Sequence, residues 1–248
     1  MALQAQQLLA LARSDAKCPG YTSQSGQLLN MILGDLCQTY DFEIAAKTTY
    51  GLFQPGLIAT VGNSIYGSGP YSLPSDFLRF KDDKSAYWTL LGVPYPLTPI
   101  DLSEFDMLVQ QAGTQSYPYV IATDMSAADE TAASGTGPAF YVYAPPSGAY
   151  PYTIRYYSQM ADISTPETST TIPWFPNQGF LKKKVSAYLM GLTDDTREEQ
   201  WHRDADDMLR GYLQMKDNRN NRATTVKLDR RRFSRDYTLL KNTKTIGW

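Results

Sequence analysis

Two stretches of helical hydrophobic periodicity, separated by a long middle with a different rhythm, constrain this chain more than any other feature. Leu28, Leu29, Ile32, Leu33, Leu36, Tyr40 and Ile44 recur at spacings of three, four and seven. That spacing puts them on one face of a helix. The expected helix runs from about 26 to 47, with Ser23 or Ser25 as its cap. A shorter helix is expected over 3–13, carrying Leu3, Leu8, Leu9 and Leu11, and the CPGY turn at Cys18–Tyr21 separates the two. The second stretch lies far along the chain. Asn177 is placed to cap a helix reaching about Leu192, with Leu181, Val185, Tyr188 and Leu189 on one face. A turn follows at Thr193–Asp195. Thr196 and Glu199 then have the spacing of a capping box. Trp201, Ala205, Met208, Leu209 and Tyr212 form the last stripe, and after Met215 the periodicity stops.

Between these stretches, from about Tyr50 to Met160, the chain is rich in Pro, Gly, Tyr and Thr. Short candidate strands are GLFQPGLIATV, PYVIATD, AFYVYAP and YPYTIRYYSQ. The last two flank PPSGA, so 140–144 and 150–157 read as an antiparallel hairpin. Tyr152, Ile154 and Tyr156 alternate with Thr153, Arg155 and Tyr157. The small, polar stretch at 128–137 reads as an exposed loop. The glycine-bearing YGSGPY (66–71) and ASGTGP (133–138) read as turns, since neither has the residues of a phosphate loop. A short helix is expected at 101–110, with Phe105 and Leu108 on its apolar side. The 18 tyrosines fit a β-rich domain and equally a core that borders an interface. The expected architecture is α+β but mainly α. Residues 1–48 and 173–215 would form a helical bundle, 49–172 a β-rich insertion, and 216–248 an extended basic arm.

Charge sets that arm apart. From Lys216 onward there are ten Lys or Arg and three Asp, a balance of +7. The preceding 215 residues hold 13 basic and 22 acidic residues, a balance of −9. An acidic body with a basic, aromatic-bearing arm is a pattern for docking on a partner. The arm suits nucleic acid by charge, but the acidic body would repel a polyanion. Arg, Tyr and Trp are the residues that most often dominate protein interfaces, so a protein partner is the stronger expectation.

Chemistry is sparse. Cys18 and Cys37 have no metal-site spacing, and Cys37 falls on a helix's apolar side, as expected of a buried free thiol made in a reducing cytoplasm. The start lacks the features of a signal peptide. No run approaches the ~18 apolar residues that would span a bilayer, so no membrane association is expected. The one histidine, His202, shares a helix face with Glu198 and Asp206, which reads as a solvated charged face before a metal site. The carboxylate pairs Asp194–Asp195 and Asp206–Asp207 belong at a helix start and on a helix surface. No catalytic residues, no metal and no cofactors are expected, and the chain is not read as an enzyme.

Four segments carry a resemblance: YSLPSDFLRF (71–80), YPLTPIDLSEFDML (95–108), YTIRYYSQM (152–160) and IPWFPNQGFLKKKVSAYLMGLTDDTREEQWHRDADDML (172–209). In that order they resemble the head-to-tail adaptor, or connector, proteins of tailed bacteriophages, particularly short-tailed ones. The resemblance implies a ring, commonly of twelve copies, under the portal vertex. It implies neighbouring copies of itself, the portal protein and a tail or nozzle protein as partners. Genomic DNA would pass through the lumen without specific binding. The place would be the head-tail junction of the virion, with synthesis in the host cytoplasm. On this reading the arm reaches the portal through Arg230, Arg231, Arg232, Phe233, Tyr237, Leu239, Leu240, Ile246 and Trp248. The alternative is a nucleic-acid-binding protein that uses the basic tail.

Overall fold

A computed structural model of the chain describes residues 2–55, 60–61, 64–65, 68–109, 115–125 and 138–220. Four helices pack around one core: α1 (Ala5–Asp15), α2 (Thr22–Thr39), and, from the far end of the chain, α4 (Gln178–Gly191) and α5 (Glu198–Asn220). α3 (Leu102–Val109) lies elsewhere. Leu181, Val185 and Leu189 recur every four residues on α4 and are fully buried. They meet Leu8, Leu9 and Ala12 of α1, Leu29, Ile32 and Leu33 of α2, and Ala205 and Leu209 of α5. Each buried Leu or Val contributes about 1.5–3 kcal/mol by leaving water, so α4 is where the two ends of the chain are held together. Three consecutive lysines on α4 add polar ties: Lys182 to Asp15 at 2.8 Å, Lys183 to Asp204 at 2.6 Å and Lys184 to Asp206 at 2.7 Å.

The helix boundaries follow local chemistry. Asn177 accepts the Phe180 N–H at 3.1 Å and caps α4, as expected. α5 starts differently. The Asp195 carboxylate, rather than Thr196, accepts the Arg197 N–H at 3.0 Å. Ser25 donates to the Thr22 carbonyl instead of capping α2. α2 also ends at Thr39, well short of 47. Tyr40 turns extended, Phe42 enters the helical core at 2% exposure, and one 3-10 turn at Glu43–Ala45 leads into a strand. Ile44 fitted the heptad by coincidence and is 57% exposed. α5 runs on past Met215 to Asn220, and Met208 lies off its buried stripe.

The middle of the chain is a body of its own. Its strands are β1 (Ala46–Leu52), β2 (Thr60–Val61), β3 (Ser64–Ile65), β4 (Ser68–Ser72), β5 (Phe77–Phe80), β6 (Ala86–Leu90), β7 (Val93–Pro96), β8 (Thr98–Ile100), β9 (Val120–Asp124), β10 (Ala139–Tyr143) and β11 (Pro151–Ser158). One sheet runs β1-β11-β6-β7, with β5 also paired to β11. A second runs β4-β10-β9-β8, with only the β8–β9 pair parallel. β2 and β3 form a two-stranded pair. The two larger sheets enclose one aromatic core of Phe53, Tyr71, Trp88, Phe140, Val142, Tyr152, Ile154 and Tyr156. α3 covers the second sheet's other face through Phe105 and Val109, close to the expected 101–110.

This architecture corrects the expectation of a mainly helical bundle. The described residues are 39% helix and 26% strand, with nine of the eleven strands in two sheets. Helical stripes accumulate a long, legible signal, whereas strands of two to eight residues broken by Pro and Gly do not. The expected 140–144/150–157 hairpin is also absent. β10 pairs with β9 and β4, while β11 pairs with β1, β5 and β6. The Pro-rich link crosses from one sheet to the other, so the alternating aromatics face each other. The Phe140 and Tyr152 rings meet edge to face at 5.4 Å, a favoured aromatic geometry. Of YGSGPY, residues 68–71 are strand β4 rather than turn.

Candidate functional site

Every residue expected to bind the portal, Arg230, Arg231, Arg232, Phe233, Tyr237, Leu239, Leu240, Ile246 and Trp248, lies outside the described residues, as does the loop at 128–137. What the structure describes is the body that presents the arm, and three features of its surface.

The first is the seam between helices and sheets. β5 sends Arg79 to the end of α2, where its guanidinium donates to the Asp41 carboxylate and to the Gln38 and Cys37 carbonyls. The last carbonyls of a helix have no partner within it and carry its negative dipole end, so one cation serves both needs. Lys81 reaches Glu43 at 2.8 Å, and the Ser158 hydroxyl donates to the Ala45 carbonyl at 3.0 Å. Lys47 and the Tyr156 hydroxyl both donate to Asp76, at 2.5 and 3.0 Å. Burial alone would raise the Asp76 carboxyl, but those two donors outweigh it and hold the group below the usual carboxylate range. Burial first, and then the bond to Asp76, push Tyr156 up to about 12.

The second is the root of the arm. Near the end of α5, the Lys216 ammonium donates to the Asp41 carbonyl and sits 4.9 Å from the centre of the Phe42 ring. Around it, Phe42, Glu43, Ile44, Pro176, Tyr212 and Met215 line an open cavity of about 360 Å³. This part of α5 therefore lies beside the residues that lead into β1.

The third is the apolar end of the first sheet. The β6–β7 hairpin turns on Leu91 and Gly92, both with positive φ, 50° and 81°. This is the two-residue turn that fits strand twist, but Leu is a poor choice for it. Leu91 is 97% exposed, and Tyr50 and Leu52 of β1 are 75% and 54% exposed. Leu52 pairs with Pro151, beside Thr89 of β6, so these residues share one end of the sheet. On the outer side lies a shallow cavity of about 520 Å³ lined by Lys84, Tyr87, Thr89, Gly92, Pro94, Pro96 and Arg155. The Arg155 guanidinium lies 5.7 Å from the Tyr87 ring centre.

The sequence's other polar candidates are used structurally. His202 packs edge to face on Tyr188 at 4.8 Å, and burial, with Lys184 nearby, lowers its proton affinity. Glu198 is 3.6 Å from it, but Asp206 is engaged by Lys184. The described residues hold no group of three or more His, Cys, Asp or Glu that could hold a metal ion. Cys18 and Cys37 are buried free thiols, and burial raises the Cys37 pKa. No described helix is long and apolar enough to cross a membrane. Sequence reasoning missed Lys182–Lys184, Arg79 and Leu91. The lysine run gave a signal, because three adjacent cations on a helix must point to different neighbours. Arg79 and Leu91 gave none, since their partners and backbone angles depend on the fold.

A family model described as SU10 adaptor protein matches residues 3–238 of the chain. No curated protein matches it.

Proposed function

Because the chain belongs to the SU10 adaptor protein family, a phage adaptor family and a structural rather than an enzyme class, we propose that it is a head-to-tail adaptor that assembles as a ring under the portal. In this reading it joins the DNA-filled capsid to the tail and lines the channel through which the genome passes. The observation that carries it is the extent of the match, which takes in the four-helix unit, both sheets and the first part of the basic arm. Residues 230–248 engage the portal, with the Arg230–Arg232 cluster on carboxylates and Phe233, Tyr237 and Trp248 in pockets. Ordering such an arm costs about 1–2 kcal/mol per residue in backbone entropy, and repeating a modest contact around a ring offsets that cost through avidity. The exposed end of the first sheet, at Leu52 and Leu91, is a candidate face for neighbouring copies or for the tail.

The test mixes the portal from the same phage genome with the full chain and with a version ending at Asn220, the last residue of α5, and images the products. A ring on the portal with the full chain alone supports both the adaptor reading and the arm. Rings from both versions keep the adaptor and remove the arm's role. Association from neither would overturn the reading. DNA binding that falls steeply with salt and vanishes in the shortened version would then favour a nucleic-acid-binding protein.

A further inference from the structure

Charge on the two-sheet body is divided between its two outer faces. Lys47, Arg79 and Lys81 are each held by a carboxylate. Lys84 and Arg155 are exposed, and among the described residues neither takes part in an ion pair. Both line the groove of about 520 Å³ on the outer side of the first sheet, together with Tyr87, Pro94 and Pro96. Tyr87 pairs with Thr153 and with Pro96, and it alternates along β6 with Ala86 and Trp88, which belong to the aromatic core. The groove therefore faces away from that core. Of the acids nearest to it, Asp82 accepts the Lys84 N–H at 2.8 Å, and Asp83 is exposed beside it. The opposite flank of the body is α3, which lies on the far face of the second sheet. It buries Phe105 and Val109 and leaves Glu104, Asp106 and Met107 exposed, Met107 by 71%. Asp101, one residue before α3, is exposed as well. Among the described residues none of these three carboxylates is in an ion pair.

We propose that the exposed side of α3 in one copy docks in the Lys84–Arg155 groove of the next copy. The proposal rests on the ring-forming adaptor reading above and names the surfaces by which neighbours meet. Charge complementarity selects the occupant: the groove offers two cations without carboxylate partners, and the helix offers three carboxylates without cations. A guanidinium binds a carboxylate with two parallel hydrogen bonds, and Arg155 lies against the Tyr87 ring with its position set. Met107 adds a soft apolar side chain that packs well on an aromatic ring, and Tyr87 with the two prolines supplies the floor for it. Charge gives such a contact its partner choice and register, while the apolar contact removes area from water. The groove and the helix lie on opposite faces of one sandwich, so a single copy cannot join its own two halves. The contact passes from copy to copy in one direction. That is a heterologous interface, which generates a closed ring when the rotation between copies closes.

Charge reversal with rescue tests this on the full chain with the portal. One variant reverses the groove (Lys84→Glu with Arg155→Glu), a second reverses the helix (Glu104→Lys with Asp106→Lys), and a third carries all four substitutions. All four positions are exposed, and thermal midpoints check that each variant folds. Images of portal mixtures count the rings. The expected result is at least about tenfold fewer rings for either face reversed alone, and recovery to within about twofold of the wild type when both are reversed. Rings at the wild-type level from either single-face variant would overturn the proposal and leave the adaptor reading standing. Loss in both without recovery in the third would also overturn it, because the two faces would then meet other partners rather than each other. No ring from the wild type would overturn the adaptor reading and this contact with it.

Discussion

Leu91 is the residue whose conformation and exposure most conflict with its chemistry. A leucine with φ of 50° and 97% exposure gives up about 1–2 kcal/mol of backbone energy without burying its side chain in the free subunit. Leu91→Asn is therefore expected to stabilise the isolated protein by about 1 kcal/mol, measured as a higher urea midpoint at unchanged slope. If the same variant assembles less well, the leucine is kept for a contact. Asp195 supplies a pH-dependent test. Its bonds from the Arg197 side chain and backbone bring its pKa down to about 2, below the value near 3.9 of an unfolded chain. The folded state then binds fewer protons than the unfolded one in that range. Its stabilising effect is complete above about pH 4 and is lost as pH falls towards 2. The wild type should exceed Asp195→Asn in thermal midpoint at pH 6, and the gap should close by pH 2.

At the scale of elements, β1 shows how one position can decide a packing arrangement. A Cβ on Gly51 would lie 2.3 Å from the Tyr152 ring, so the ring lies across β1 only because residue 51 has no side chain. Gly51→Val should cost about 1–3 kcal/mol by forcing that ring aside, seen in the urea midpoint together with a changed near-ultraviolet tyrosine signal. The sequence did not reveal this, because an isolated glycine in a strand pattern says that something approaches closely without saying what. Helices were more legible. Leu181, Val185 and Leu189 were expected on one face of α4 and are fully buried there. The two misjudged ends, α2 at Thr39 and α5 at Asn220, have physical causes. Phe42 gains more by entering the core than the helix gains by continuing, and polar residues after Met215 hide a helix that has no apolar stripe to show.

For the molecule as a whole, the seam joins a helical unit and a two-sheet body that have separate cores. Arg79 crosses it with bonds to one carboxylate and two helix-end carbonyls. Arg79→Ala should cost about 1–2 kcal/mol, since charged hydrogen bonds contribute more than an exposed ion pair but solvent still reaches this one. Native-state exchange should show the loss at the last amides of α2, with the α4 amides unchanged. The overall charge also looks different once folded. Asp15, Asp204 and Asp206 are paired with the α4 lysines, so part of the acidity read from the sequence is used internally rather than offered to the basic arm.

What the sequence determined by itself was whatever is written in short-range periodicity and composition. The helical stripes, the strand-rich middle, the Asn177 cap and the charge contrast between body and arm all follow from residues within a few turns of one another. Only the tertiary structure decided which strands pair, that β10 and β11 face each other across a core, and that among the described residues β1 pairs only with β11. Strand partners are chosen by contacts between residues far apart in sequence. The alternation that marks a strand gives its two faces but not its neighbours, because the same period of two fits every register and either sheet.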